Sequence, residues 1–145
     1  MHLKNEKGFT LLESLFVLSI FLLILSMSFL PLRPQQNQLD AKLFFSQLKS
    51  DLLYAQQYAV TNQCLVRVNF MSTENHYYIR KQSGEVLIRR DYSNNIIIRE
   101  GSQVLHFYYL YSGNINSFGS IYVYIDKKRY QMTFQLGGRF YVKEG

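Results

Sequence analysis

Hydrophobic positions divide the chain into three zones with different periods. From Phe9 to Leu30 apolar residues are nearly continuous, interrupted by Glu13 and a few serines. Over residues 37–60 apolar residues recur with the period of an amphipathic helix. From Cys64 onward apolar and polar residues alternate, which is typical of half-buried strands. The pattern therefore predicts an apolar helix, an amphipathic helix and a β-rich segment, in that order.

The amphipathic helix is predicted to begin after Pro31 and Pro34. Pro31 removes a backbone donor and disfavours helix at Leu30, so a kink or break is expected there. Asn37, with Asp40 three residues later, resembles an N-cap followed by an acidic first turn. The stripe predicted to face the core comprises Leu39, Leu43, Leu48, Leu52, Ala55 and Ala59, widened by Phe44, Phe45, Leu53 and Tyr54. The residues predicted to face solvent are mostly Lys42, Lys49, Asp51, Gln56 and Gln57.

Period-two segments separated by turn residues predict a series of strands. They cover residues 64–70, 76–81, 86–90, 96–99, 104–111, 121–125 and 130–142, with a charged turn at 126–129 and Gly137-Gly138 as a two-residue hairpin connection. Strands joined by such short turns are antiparallel. The predicted fold class is α+β: a long N-terminal helix, membrane-spanning in its first half, packed on a C-terminal antiparallel sheet domain (64–143), with the sheet whole or split in two.

Charge, cysteine content and motifs limit the classes of protein to which the chain can belong. The formal net charge is +6, and residues from Arg33 onward carry fourteen Lys and Arg against eight Asp and Glu. The single cysteine, Cys64, rules out an internal disulfide, and is either a small buried hydrophobe or an exposed thiol. His2, His76 and His106 lack the spacing of a metal site, and they have no Cys or carboxylate residues near them in the pattern of one. We find no phosphate-binding loop or nucleophile motif, so the chain is predicted to be no enzyme and to need no cofactor or metal.

The most informative stretch is Lys-Gly-Phe-Thr-Leu-Leu-Glu-Ser, residues 7–14, at the head of the apolar run. An Asp, Lys or Arg side chain at a membrane centre costs about 2.5–3.5 kcal/mol on insertion scales. Glu13 is near one end of the apolar run, so its cost should be lower, but a plain anchor would have Leu or Val there. We therefore expect Glu13 to have a function and a cationic partner. No Lys or Arg lies between Phe9 and Leu32, so the partner must come from elsewhere.

This motif resembles the processing site of type IV pilins and pseudopilins. The resemblance implies that a prepilin peptidase cuts between Gly8 and Phe9, that the same enzyme methylates Phe9, and that Glu13 is the assembly carboxylate. It also implies a pilin-like fold, in which the outer half of a long helix packs on the sheet, and other pilins or pseudopilins as filament partners. Residues 1–8 are then a leader, 9–32 a transmembrane and assembly helix, and 33–145 an exported globular domain.

The basic leader predicts orientation in the membrane. Lys4 and Lys7 keep the N-terminus cytoplasmic by the positive-inside rule. The predicted location is the cell membrane, with a single pass before processing, and the cell surface or pilus after assembly. Two alternatives stay open: a secretory signal peptide cleaved near Ser26-Met27-Ser28, and a plain uncleaved anchor, since 9–30 is long enough for a bilayer core of about 30 Å.

A second, weaker resemblance concerns the subfamily. The very short leader, the lone cysteine, the basic Tyr-rich domain and the sequence of residues 41–51 resemble minor pseudopilins of the Gram-positive competence machinery. This implies a transformation pilus subunit that takes part in assembly and in binding and uptake of DNA. The alternatives are a minor pseudopilin of a type II secretion-like system and a membrane-anchored β-rich binding domain.

Direct contact with DNA is a hypothesis that rests on charge. The candidate footprint comprises Arg80, Lys81, Arg89, Arg90, Arg99, Lys127, Lys128 and Arg129, with exposed tyrosines available for stacking on single strands. The alternative is a solvated basic face, or one that binds anionic wall polymers.

Overall fold

The structure is a computed structural model that describes residues 10–28 and 33–145, with side chains for 10–26 and 39–145. It contains two compact units, one ending at Gln38 and one formed by Leu39–Gly145. Helix α1 covers Leu11–Ser28 and helix α2 covers Arg33–Thr61. The predicted break at Pro31 lies outside the described residues.

Helix α2 begins earlier than the sequence pattern predicted. Its first residue is Arg33, so the predicted N-cap at Asn37 is wrong: Asn37 lies inside the helix. Pro34 does not prevent this, because the backbone N–H groups of a first helical turn have no intrahelical acceptor and a proline there loses nothing.

The β segment contains eight strands close to the predicted positions. Their bounds are β1 Val66–Met71, β2 His76–Lys81, β3 Val86–Asp91, β4 Ile96–Glu100, β5 His106–Tyr109, β6 Gly119–Ile125, β7 Lys128–Phe134 and β8 Phe140–Glu144. They form two antiparallel four-stranded sheets: sheet A has the order β3-β2-β1-β5 and sheet B the order β4-β6-β7-β8. The α+β class is confirmed, and the sheet is split in two.

Both sheets contribute one face to the core of the Leu39–Gly145 unit. Phe107 of β5 and Phe134 of β7 have ring centroids 4.8 Å apart, which joins sheet A to sheet B. On α2, Leu48 and Leu52 are fully buried in the same cluster. Cys64 is half-buried and packs against this core as a free thiol. Each sheet therefore has one apolar face inside and one outer face.

The phase of the α2 stripe was partly mispredicted. Leu39 and Leu43 are 55% and 59% exposed, and Leu53 and Tyr54 are also exposed. Conversely, Asp51 is buried at 4% exposure. The predicted stripe contains one step of five residues, from Leu43 to Leu48. A five-residue step does not return to the same face of an α-helix, so Leu43 and the residues before it lie on a different face from Leu48 and Leu52.

The connection between β7 and β8 also differs from the prediction. Gly137-Gly138 is not a two-residue hairpin loop, because a 3₁₀ turn at Leu136–Gly138 occupies this connection and both glycines have positive φ, 82° and 70°. The backbone N–H of Gln135 donates to the carbonyl of Arg139 at 2.8 Å, which closes a wider loop. A Cβ on Gly138 would collide with the side chain of Gln56, so glycine is required there.

Gln56, predicted to face solvent, is half-buried and ties α2 to two loops. Its Nε2 donates to the carbonyl oxygen of Gly113 at 2.7 Å and to that of Gly137 at 2.9 Å. The first loop follows β5 and the second precedes β8. One amide thus fixes both loops against the helix.

Replacing Gln56 by alanine should lower the free energy of unfolding by about 1–2 kcal/mol, because two hydrogen bonds to carbonyls are lost. Urea denaturation of the full-length chain in neutral detergent, followed by tyrosine fluorescence, measures this. Gln57→Ala is the matched control, since its exposed amide reaches only the Thr61 hydroxyl on the same helix. Equal midpoints for the two variants would contradict the role of Gln56.

Candidate functional site: an assembly carboxylate and two basic sheet faces

Glu13 lies in the first turn of α1. Its backbone N–H donates to the carbonyl of Thr10 at 3.0 Å, so Thr10 starts the helix. A carboxylate in this turn is favoured by the partial positive charge of the free N–H groups. The Glu13 side chain is exposed and forms no ion pair with any described residue. Gly8 and Phe9, the predicted cleavage and methylation positions, lie outside the described residues.

The rest of α1 presents apolar side chains. Every residue from 11 to 26 is exposed within this chain, and the large hydrophobic ones range from Leu25 at 39% to Leu11 at 84%. The hydroxyls of Ser19 and Ser26 donate to the Leu15 and Leu23 carbonyls, both at 2.8 Å, so they are satisfied within their own helix. In the parts of the chain that the structure describes, we find no helix long and apolar enough to cross a membrane.

Three of the predicted basic residues form hydrogen-bonded ion pairs with carboxylates. Lys81 Nζ lies 2.7 Å from Glu85, and Lys128 pairs with Glu144. Arg90 Nε donates to Asp51 at 3.1 Å. Each carboxylate raises the pKa of its basic partner, chiefly through the hydrogen bond between them. These three charges are locally compensated and contribute little to an anion-binding surface.

Asp51 is the centre of a buried polar network that the sequence pattern did not reveal. Its carboxylate accepts hydrogen bonds from Gln47 Nε2 at 3.0 Å, from the Tyr77 hydroxyl at 2.8 Å and from Arg90. Burial and the bond to Asp51 raise the pKa of Tyr77 far above its usual value. Burial alone raises the pKa of neighbouring Tyr92 to about 12. The network joins α2 to β2 and β3, so we assign it to stability.

The remaining basic candidates lie on two different sheet faces. Arg80 and Arg89 are on the outer face of sheet A, while Arg99 and Arg129 are on the outer face of sheet B. Lys127 is exposed in the turn between β6 and β7. The predicted footprint is therefore not one surface.

On the outer face of sheet B, arginines cover tyrosine rings. The Arg99 guanidinium lies 5.5 Å from the ring centroid of Tyr124, and that of Arg129 lies 5.7 Å from the centroid of Tyr122. Cation–π contacts of this kind hold the guanidinium groups over the rings. This face can attract an anion, but its arginines already have partners.

The outer face of sheet A carries residues that were absent from the predicted footprint. Strand register places Arg67 directly opposite Tyr108 of β5, and Asn69 directly opposite His106. On the other side of β1, Arg67 faces Arg80. Only the pairing of three strands brings these residues together, so the linear charge pattern did not reveal them. The alternation of apolar and polar residues within β1 and β5 was the one sequence signal that could have placed these side chains on an outer sheet face.

His76 and His106, the two histidines in the described ranges, lie on the outer face of sheet A. His76 is buried with Nδ1 3.6 Å from Glu74, and His106 is exposed. No group of three or more potential ligands among His, Cys, Asp and Glu occurs in the described ranges.

Comparison with known proteins agrees with the motif and the fold. The family pattern described as the prokaryotic N-terminal methylation motif matches residues 3–29. The fold of the chain, with a helix on two antiparallel sheets, has pilin-like neighbours among solved structures. These include the minor pilin FimU of Pseudomonas aeruginosa (TM-score 0.59, 17% identity, 76% of this chain and 90% of that chain). They also include the minor pseudopilin EpsH of the Vibrio cholerae type 2 secretion system (TM-score 0.58, 11% identity, 72% and 97%). The motif and the fold are thus both similar to those of type IV pilin-like proteins.

One relative is more similar in sequence than these solved structures are. Over 96 residues, 66% of this chain, the sequence is 36% identical to the competence protein ComGD of Bacillus subtilis (strain 168). The match spans 64% of that relative's own length.

Proposed function

We propose that this chain is a minor pseudopilin subunit of a competence pilus and takes part in DNA uptake. The observation that carries the proposal is the Gly8-Phe9 motif followed by Glu13 in the first turn of an apolar helix, in a chain with a pilin-like fold. The similarity to a competence protein supports the choice of system. In this proposal the chain is the substrate of an enzyme and catalyses nothing itself.

The chemistry of assembly follows from one cut. Cleavage after Gly8 turns an amide into a cationic amine at Phe9, and methylation of that amine preserves its charge. Glu13 of one subunit then pairs with the amine of a neighbour. Within an apolar helix bundle an unpaired carboxylate or amine is costly. The ion pair between Glu13 and the neighbour's amine removes both costs, and this favours the addition of each new subunit.

The apolar exterior of α1 supports membrane anchorage before assembly. Its leucines, isoleucines and phenylalanines are exposed within this chain, and contiguous apolar surface of this kind marks a membrane or subunit interface. We propose that the chain is held in the cell membrane by residues 9–32 and is later packed through the same surface into the filament.

Contact with DNA is proposed on the outer face of sheet A. There Arg67 lies opposite Tyr108 and Arg80 lies over the Tyr78 ring, which provides charge for phosphates and rings for bases. The compensated residues Lys81, Arg90 and Lys128 are not part of this proposal.

Mass spectrometry of the N-terminus tests the filament function. The chain purified from its native membrane should begin at Phe9 and carry one additional methyl group. A chain that begins at Met1 would support an uncleaved anchor, and one that begins after Ser28 would support a secreted domain. Either of these results would overturn the proposal.

A further inference from the structure

A pocket of about 360 Å³ lies on the outer face of sheet A. It is lined by Arg67, Asn69, Val104, His106, Phe107, Tyr108 and Asn116. Two cross-strand pairs, Arg67 with Tyr108 and Asn69 with His106, form its floor. Side chains directly opposite each other on adjacent strands lie about 5 Å apart, and alternate residues along a strand about 7 Å apart. The four groups thus occupy an area of about 5 by 7 Å at the floor of the pocket.

The pocket contains hydrogen-bond donors without acceptors. Arg67 is exposed and makes no hydrogen bond or ion pair with a described residue. Asn69 is buried at 9% exposure, and its Nδ2 has no acceptor among the described residues. A buried donor left unpaired is costly, which favours a ligand that accepts hydrogen bonds.

Asn116 adds a donor whose orientation is fixed. Its Oδ1 accepts the backbone N–H of Tyr108 at 2.8 Å, and its own N–H donates to the Tyr108 carbonyl at 3.0 Å. Because Oδ1 is occupied by a donor, the Nδ2 of Asn116 is left for another acceptor. This residue also closes the free edge of β5 beside the pocket.

Electrostatics select an anion. None of the residues that line the pocket is acidic. Arg67 stands directly opposite Arg80 across β1 and β2, and like charges in this position destabilise a sheet. An anion between them removes that cost. A site made of guanidinium and amide donors without a carboxylate suits a phosphate group.

Aromatic groups beside these donors select a base. The Tyr108 ring has no ring or cation partner among the described residues, whereas Tyr78, Tyr122 and Tyr124 each carry an arginine. His106 is exposed two residues away on the same face. A free ring next to an anion site can stack an unpaired base, with a contribution of about 1–3 kcal/mol per base in other proteins.

We propose that this pocket binds one nucleotide of single-stranded DNA, with Arg67, Asn69 and Asn116 on the phosphate and Tyr108 and His106 against the base. The proposal rests on the DNA-uptake function proposed above and deepens it. It assigns strand contact to sheet A and excludes the arginines of sheet B from the principal site.

Binding of a fluorescent oligothymidylate to the full-length chain in neutral detergent tests the assignment. Arg67→Gln should weaken binding about tenfold. It should also reduce the slope of log affinity against log salt by about 0.7, the contribution of one phosphate on a single strand. The matched control is Arg99→Gln on the outer face of sheet B, which should bind like the unsubstituted chain.

Thermal unfolding of the same variants separates binding from folding. Arg67→Gln removes the like-charge pair with Arg80, so its melting temperature should stay equal or rise while its affinity falls. Unchanged affinity of Arg67→Gln, or an equal loss in Arg99→Gln, would overturn the assignment. So would duplex DNA binding as tightly as the single strand, or poly(glycerol phosphate) competing as well as the oligonucleotide. None of these outcomes would alter the N-terminal mass, so failure here is distinguishable from failure of the filament proposal.

Discussion

Replacing Glu13 by valine should leave the chain in the membrane fraction and remove it from sheared filaments. Valine makes α1 more apolar, so insertion is retained or improved. In the proposed filament, the Phe9 amine of a neighbouring subunit would lose its partner in an apolar bundle. Truncating one member of such a buried charge pair weakens association by about thirtyfold or more. Quantitative immunoblotting measures the amount of the chain in the membrane fraction and in the filament fraction.

Ser19→Ala is the matched control for Glu13→Val. Ser19 lies on the same helix, and its hydroxyl is satisfied by the Leu15 carbonyl. Its substitution should therefore change neither fraction. Normal incorporation of Glu13→Val into filaments would refute the assembly role assigned to the carboxylate.

Replacing Asp51 by alanine should destabilise the Leu39–Gly145 unit by about 3 kcal/mol, because a buried acceptor is removed and the Tyr77 hydroxyl loses its only hydrogen-bond partner among the described residues. Urea denaturation of the full-length chain in detergent measures the loss. Combining Asp51→Ala with Tyr77→Phe should cost less than the sum of the two single variants, since both remove the same hydrogen bond.

Lys49→Ala provides the comparison for Asp51→Ala on the same helix. Lys49 is exposed and forms no ion pair with a described residue, so its removal should leave the urea midpoint nearly unchanged. Strictly additive effects of Asp51→Ala and Tyr77→Phe would show that the buried network is not a single coupled unit.

Local rules were sufficient to predict the strands. His76–Lys81 was predicted with its exact bounds, because its alternation is bounded by turn residues on both sides. Gly137-Gly138 was correctly placed in a turn but given the wrong loop. Its geometry depends on Gln56, which lies 81 residues from Gly137 along the chain. Turn chemistry is local, whereas the helix that fixes this turn is not.

The same distinction separates the residues found by sequence from those that were missed. The stretch Gly8 to Glu13 is a linear signal and needs no fold to be recognised. Asp51 resembled a solvent-facing residue, since its partners Tyr77 and Arg90 lie 26 and 39 residues away. The charge pattern of the sequence identified the arginines but not the sheet face on which each one lies. The outer face of sheet A forms only when β1 pairs with both β2 and β5.

Asp51 and Gln56 lie close together on α2 and hold different parts of the unit. Asp51 is bonded to β2 and β3 of sheet A, and Gln56 to the loop after β5 and to the turn before β8. A tensile force that enters through α2 is therefore distributed over both sheets at nearly the same point. Bonds loaded in parallel share the force and break together, whereas bonds in series break one by one. The unit should consequently withstand traction on its helix as one mechanical body.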